Sequence, residues 1–254
     1  MNDFYIGYLP KPPADLARFI GRVVVIILVL TVVVGCTLVL GQRHLAASFF
    51  EFDSVTSFEG VIEEKPYPTL LVRRPGSTSP EAQFSRYLLV GAGKHGLDPD
   101  VFQFDGQAVV LQGKLIFRAG QTMVELMPGS VRKAGTGGGG SLEPHFGPVV
   151  SIRGEIVDSK CHTGVMNPGE GKVHRDCAVR CLSGGVPPVL VEDDAPHRLI
   201  VLAGTDGKQL PPDTFIDRVA EPVVAVGQLV GRGDRLQLLV QHIDRADASK
   251  PDHR

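Results

Sequence analysis

Apolar positions along the chain form one long uninterrupted run and then a series of short ones. From Val23 to Gly41 the sequence VVVIILVLTVVVGCTLVLG carries no charge. At about 1.5 Å per residue it reaches roughly 28 Å, close to the hydrocarbon thickness of a bilayer. The pattern predicts a transmembrane helix over residues 23–41. Lys11, Arg18 and Arg22 precede the run, and Arg43 is the main positive charge just after it. That bias predicts a cytoplasmic tail over residues 1–22 and an extracytoplasmic remainder. A cleaved signal peptide is the first rival, with Ala46, Ala47 and Ser48 offering a small-residue cleavage site.

The short runs are rich in Val, Leu and Ile and are bounded by Gly, Pro, Asp or Asn, as half-buried strands and their turns are. They fall in the same order twice. Phe58–Ile62, Thr69–Val72, Tyr87–Val90, Ala108–Ile116 and Met123–Leu126 make the first set. Ile152–Val157, Val189–Val191, Leu199–Leu202, Val223–Val230 and Leu236–Val240 make the second. Gly113 and Gly227 interrupt long runs where a small sheet must bend or bulge to coil back on itself. The expected fold is mainly β: an N-terminal transmembrane helix, then two tandem five-stranded barrels that resemble the OB type, over residues 50–132 and 149–246. A pair of β-sandwich modules is the alternative. Between them residues 133–148, KAGTGGGGSLEPHFGP, read as a flexible linker that lets the distal domain reach away. Residues 247–254 are polar and are expected to fray.

Composition fits this picture. The chain has 254 residues, 43% of them hydrophobic, which is ample for packed domains. Its net charge of -2 and the absence of Trp give no electrostatic or stacking reason to expect nucleic acid. Pro12 and Pro13 limit helix in the tail MNDFYIGYLPK, whose aromatics suit the membrane face or a membrane partner.

The two sets differ in one place. From Gly60 to Gly113 is 53 positions, whereas Gly154 to Gly227 is 73, and the excess falls in residues 158–188. That insert holds Cys161, His162, Met166, His174, Cys177 and Cys181, while only Cys36 lies elsewhere among the cysteines. Asp176 is a candidate N-cap, residues 177–183 can form two helical turns, and Gly184-Gly185 can end them. Cys177 and Cys181 then share a helix face at i and i+4, too far apart for a disulfide but suited to one metal ion. Cys161, Cys177, Cys181 and a histidine complete a thiolate and imidazole set for zinc or an iron–sulfur centre. Met166 would instead suit copper. His174 is favoured over His162, because neighbours on a strand point to opposite faces.

Two other chemistries compete. Outside the cytoplasm a disulfide from Cys161 to Cys177 or Cys181 would only staple the insert, making the chain an assembly or interaction subunit. Cys177 at a helix N-terminus with His174 nearby could serve as the nucleophile of a thiol-dependent enzyme. Neither CxxC nor CxxCH spacing is present.

The positions Asp158, Cys161, His174, Cys177, Ala178, Cys181, Gly184, Gly185 and Pro187 spell D-x-x-C, a loop, H-x-x-C-A-x-x-C, then G-G-x-P. This resembles a group of bacterial extracytoplasmic proteins with a small β domain. The resemblance implies that the segment is one unit on an exported barrel, and it carries no activity with it. Val33-Val34-Gly35-Cys36 is likewise similar to the lipobox of bacterial lipoproteins, although the apolar run continues to Leu40. Cys36 otherwise reads as a small polarizable side chain in a membrane helix.

Other motifs read as structure. Gly91–Gly96, GAGKHG, lacks the order of a phosphate loop and reads as a turn, with Gly204–Lys208 as its counterpart. Glu63-Glu64 and Glu192–Asp194 read as solvated loop charges, and Arg73, Arg74 and Arg86 as a solvated basic face. His95, His145, His197 and His242 have no partner spacing and read as surface residues. The sequence thus predicts a bacterial inner-membrane protein with an extracytoplasmic metal or cluster site, working beside a larger membrane or periplasmic complex.

Overall fold

The computed structural model describes residues 12–42, 48–76, 83–135, 143–195, 198–233 and 235–246. The tail MNDFYIGYLPK, the consecutive glycines of the linker, His197 and residues 247–254 lie outside the described residues.

The chain divides into two units, Met1–Ala46 and Ala47–Arg254. The first contains helix α1, Ala14–Gln42, whose stretch Ala14–Gly41 is long and apolar enough to cross a membrane. Its apolar side chains are exposed all round, Ile27 and Leu38 among them, which is the surface of a helix solvated by lipid or of a signal anchor. Cys36 lies within this helix and is exposed.

The second unit contains two closed five-stranded rings. In the first, β2 (Thr56–Glu63), β3 (Thr69–Arg73), β4 (Phe84–Val90), β5 (Ala108–Arg118) and β6 (Gln121–Leu126) pair in the order β5-β2-β3-β4-β6, and β6 returns to β5. Two short strands, β1 (Ser48–Phe50) and β7 (Arg132–Lys133), lie against β5. The second ring uses β8 (His145–Asp158), β9 (Pro188–Glu192), β10 (Leu199–Gly204), β11 (Pro222–Arg232) and β12 (Arg235–Arg245) in the closed order β10-β12-β11-β8-β9. In both, the third and fifth strands pair in parallel and the other neighbours are antiparallel. This is the OB-type arrangement expected from the order of apolar runs.

Closure depends on glycines at matching positions. A Cβ on Gly60 would stand 2.3 Å from the Leu71 carbonyl oxygen, and one on Gly154 would stand 2.1 Å from that of Val191. Gly227 sits at a register shift between β11 and β12, the bulge that bends a long strand round a small ring.

The rings are not independent. Tyr67, Leu88, Val90, Ile116 and Met123 of the first pack with Val157, Val186, Val189, Val191, Leu199 and Val201 of the second in one buried cluster. Burying each such aliphatic side chain contributes about 1.5–3 kcal/mol. Polar contacts fix the register of this interface. The Leu210 N–H donates to the Tyr67 hydroxyl at 3.1 Å, and Arg235 Nη2 donates to the carbonyls of Arg86 and Thr122 at 2.6 and 2.9 Å. The expectation that a tether lets the second barrel range away from the first is therefore corrected. Hydrophobic faces supplied by both rings hold them together whatever the sequence between them.

Two charge readings are corrected as well. Arg86 is buried, and its Nη1 pairs with Glu63 Oε2 at 2.9 Å, so neither residue belongs to a solvated face. β2 and β4 flank β3, so the pair reaches across it.

Candidate metal centre

The insert leaves the second barrel at the end of β8 and re-enters at the start of β9, where Asp158 and Pro188 are themselves paired. The corresponding connection in the first barrel spans only residues 64–68. Asp158 is fully buried. Its Oδ1 accepts the Cys161 N–H at 2.8 Å and its Oδ2 lies 3.1 Å from His174 Nε2, so one carboxylate ties both ends of the loop. Cys161 opens a single π turn, Cys161–Val165, a local widening of helical geometry often found at functional sites.

Helix α2, Arg175–Ser183, follows. His174 occupies the N-cap position and Asp176 falls in the first turn, with no side-chain capping bond. The expected Asp176 cap is thus displaced, because His174 is already anchored by Asp158 and starts the helix earlier. At the other end the Val186 N–H reaches back to the Cys181 carbonyl at 3.0 Å, and Gly185 adopts φ 93°, a Schellman ending that only glycine accepts without strain.

These elements bring three sulfurs together. Cys161 Sγ lies 3.9 Å from both Cys177 Sγ and Cys181 Sγ, and all three lie within 4.8 Å of one another. Cys161 and Cys181 are buried and Cys177 is half-buried. All are free thiols, since 3.9 Å is nearly twice a sulfur–sulfur bond of about 2.05 Å. A disulfide staple is therefore not what the fold contains. The hydrogen shared with Cys181, with burial adding to it, pushes the Cys161 thiol far up, while that same bond holds Cys181 below the ordinary thiol range.

The remaining sequence candidates are placed differently. His174 joins Asp158 and Cys161 in a second group whose ligand atoms lie within 4.8 Å, so Cys161 is the member common to both groups. His174 is buried, and its Nε2 is held by Asp158. His162 faces other charges, with Nδ1 3.2 Å from Glu170 Oε2 and Nε2 3.5 Å from Arg118 Nη1. Met166 is 44% exposed and meets Cys161 through its backbone N–H.

One side of the centre comes from the first barrel, far from the insert in sequence. The turn Gly91–Gly96 lies on the end of α2, where the Gly96 N–H donates to the Gly184 carbonyl at 2.8 Å. A Cβ on Gly184 would stand 2.0 Å from the Lys94 carbonyl oxygen, and one on Gly96 would stand 2.6 Å from that of Gly185. Lys160, buried beside Cys161, donates from Nζ to the carbonyls of Gly91 and Gly93 at 2.8 and 2.7 Å and pairs with Glu125 at 2.6 Å. Lys94 Nζ, so positioned, is 2.8 Å from Cys177 Sγ, and this contact holds its ammonium above the usual range. The only trace in the sequence is that this turn is richer in glycine than its counterpart at Gly204–Lys208.

The fold and site define a two-barrel protein with a three-thiol centre able to hold a metal ion and an apolar N-terminal helix able to serve as an anchor. No protein-family model matches the chain, nor does any curated protein or solved structure.

Proposed function

We propose that this chain is a bacterial inner-membrane protein with a cytoplasmic N-terminus, holding a metal ion outside the cytoplasm for electron transfer or metal handling beside a larger enzyme. The sulfur triangle carries the reading. Thiolates bound to zinc at about 2.3 Å in a tetrahedron stand about 3.8 Å apart, and the Cys161 separations are 3.9 Å. Three sulfurs around one point favour a single soft ion over a cluster spread across several irons. The ion is zinc if a fourth donor completes the tetrahedron, with His174 the nearest imidazole, and copper(I) if three thiolates suffice. The Asp158–His174 contact supports such a centre, since a carboxylate commonly orients a ligating imidazole.

A small centre on a rigid two-barrel body suits delivery to, or exchange with, a larger membrane or periplasmic complex. The basic residues before the apolar run and the single anchor support that placement. Full-length protein purified anaerobically in detergent should carry one metal per chain by elemental analysis, and Cys177→Ser or Cys181→Ser should remove it. Metal-free wild-type protein that fails to take up zinc or copper(I) would refute the assignment.

A further inference from the structure

We propose that Lys94, from the first barrel, is a positioning residue of the metal centre: it donates a charged hydrogen bond to the Cys177 thiolate and closes the centre's solvent side. This deepens the metal-binding reading and rests on it.

The placement of Lys94 is determined by backbone, not by a wandering side chain. Its turn is held at Gly96 by the Gly184 carbonyl and at Gly91 and Gly93 by Lys160, so its Cα cannot drift without breaking buried contacts. Glycine at 96 and 184 permits an approach that side chains would block. The ammonium then meets the one sulfur of the three that is not buried, at 2.8 Å.

Charge explains why a cation belongs there. Three thiolates around a divalent ion leave one excess negative charge, and Asp158 adds another behind Cys161. On the buried side apolar residues such as Val186 and Val189 pack against Cys161 and Cys181, and the Lys160 ammonium is already engaged by Glu125 and two carbonyls. Relief must come from the Cys177 side, where Lys94 stands. An ammonium bonded to a thiolate offsets that excess charge and blocks the approach of competing ligands, so the ion should leave more slowly.

The test uses the full chain in detergent, loaded with cobalt(II) as a spectroscopic stand-in for zinc. Lys94→Met and Lys94→Gln should each weaken affinity ten- to a hundredfold in competition with a chelator, the usual effect of losing an outer partner of a metal ligand. Both should also move the sulfur-to-cobalt charge-transfer band to lower energy, because an unbonded thiolate gives up its electrons more readily. A merely structural lysine would not shift that band. Lys208→Met, in the counterpart turn where Lys208 faces Asp206, should leave affinity and spectrum unchanged. Lys94 variants that match wild type in affinity, release and spectrum would overturn this proposal alone. Wild-type protein that takes up no cobalt would overturn the metal reading beneath it as well.

Discussion

The two barrels share strand order, parallel closure and matching glycines, yet one joins its first two strands through residues 64–68 and the other through a segment holding three cysteines. The first barrel is thus a control built into the chain. It closes without a cysteine, so the thiols are not needed to make such a ring. It is also a participant, since its turn Gly91–Gly96 covers the end of the cysteine helix. Of two rings with one strand order, one thus carries the candidate centre and the other braces it.

The difference can be broken at the sulfurs first. Replacing Cys161, the member common to both ligand groups, with Ser should abolish stoichiometric metal, whereas neither barrel should lose its β-sheet signal by circular dichroism. The next effect should come from the brace. Lys160→Met would leave the part-buried Glu125 carboxylate without its partner, at a cost of about 2–3 kcal/mol, read as a lower denaturant midpoint. It should also loosen the first barrel from the insert, exposing Gly91–Gly96 amides to hydrogen exchange.

The likeness of the rings is tested by paired substitutions. Gly60→Ala and Gly154→Ala each force a methyl group against a neighbouring carbonyl and should destabilise by about 1–3 kcal/mol, by similar amounts. A large loss in one ring and none in the other would contradict equivalent closure. Smallest is Tyr67→Phe, which leaves the buried Leu210 N–H without its acceptor and should cost about 1 kcal/mol at the barrel interface. Burial pushes the Tyr67 hydroxyl well above its usual range, so it should keep its proton through alkaline titration until the interface opens.

Much of the framework was legible because it depends on local periodicity. Alternating Val and Leu runs, with glycine where strands cross closely, specify rings whoever their neighbours are. The convergence of Cys161, Cys177 and Cys181 could also be read, since i and i+4 spacing and a strand end restrict where sulfurs can go. His174 could not be placed, because its orientation depends on Asp158, a strand-end carboxylate whose burial no local pattern announces. Lys94 was invisible for a stronger reason: it lies 83 positions from Cys177, and its only local signature is a glycine-rich turn. Arg86 and Glu63 were misread because charge predicts exposure only until a partner is found inside.

The central claim is that the three sulfurs bind one ion together. X-ray absorption at the edge of the bound metal, on full-length protein, tests it most directly. For zinc the expected result is three sulfur neighbours at about 2.3 Å. A shell of oxygen and nitrogen alone would contradict it.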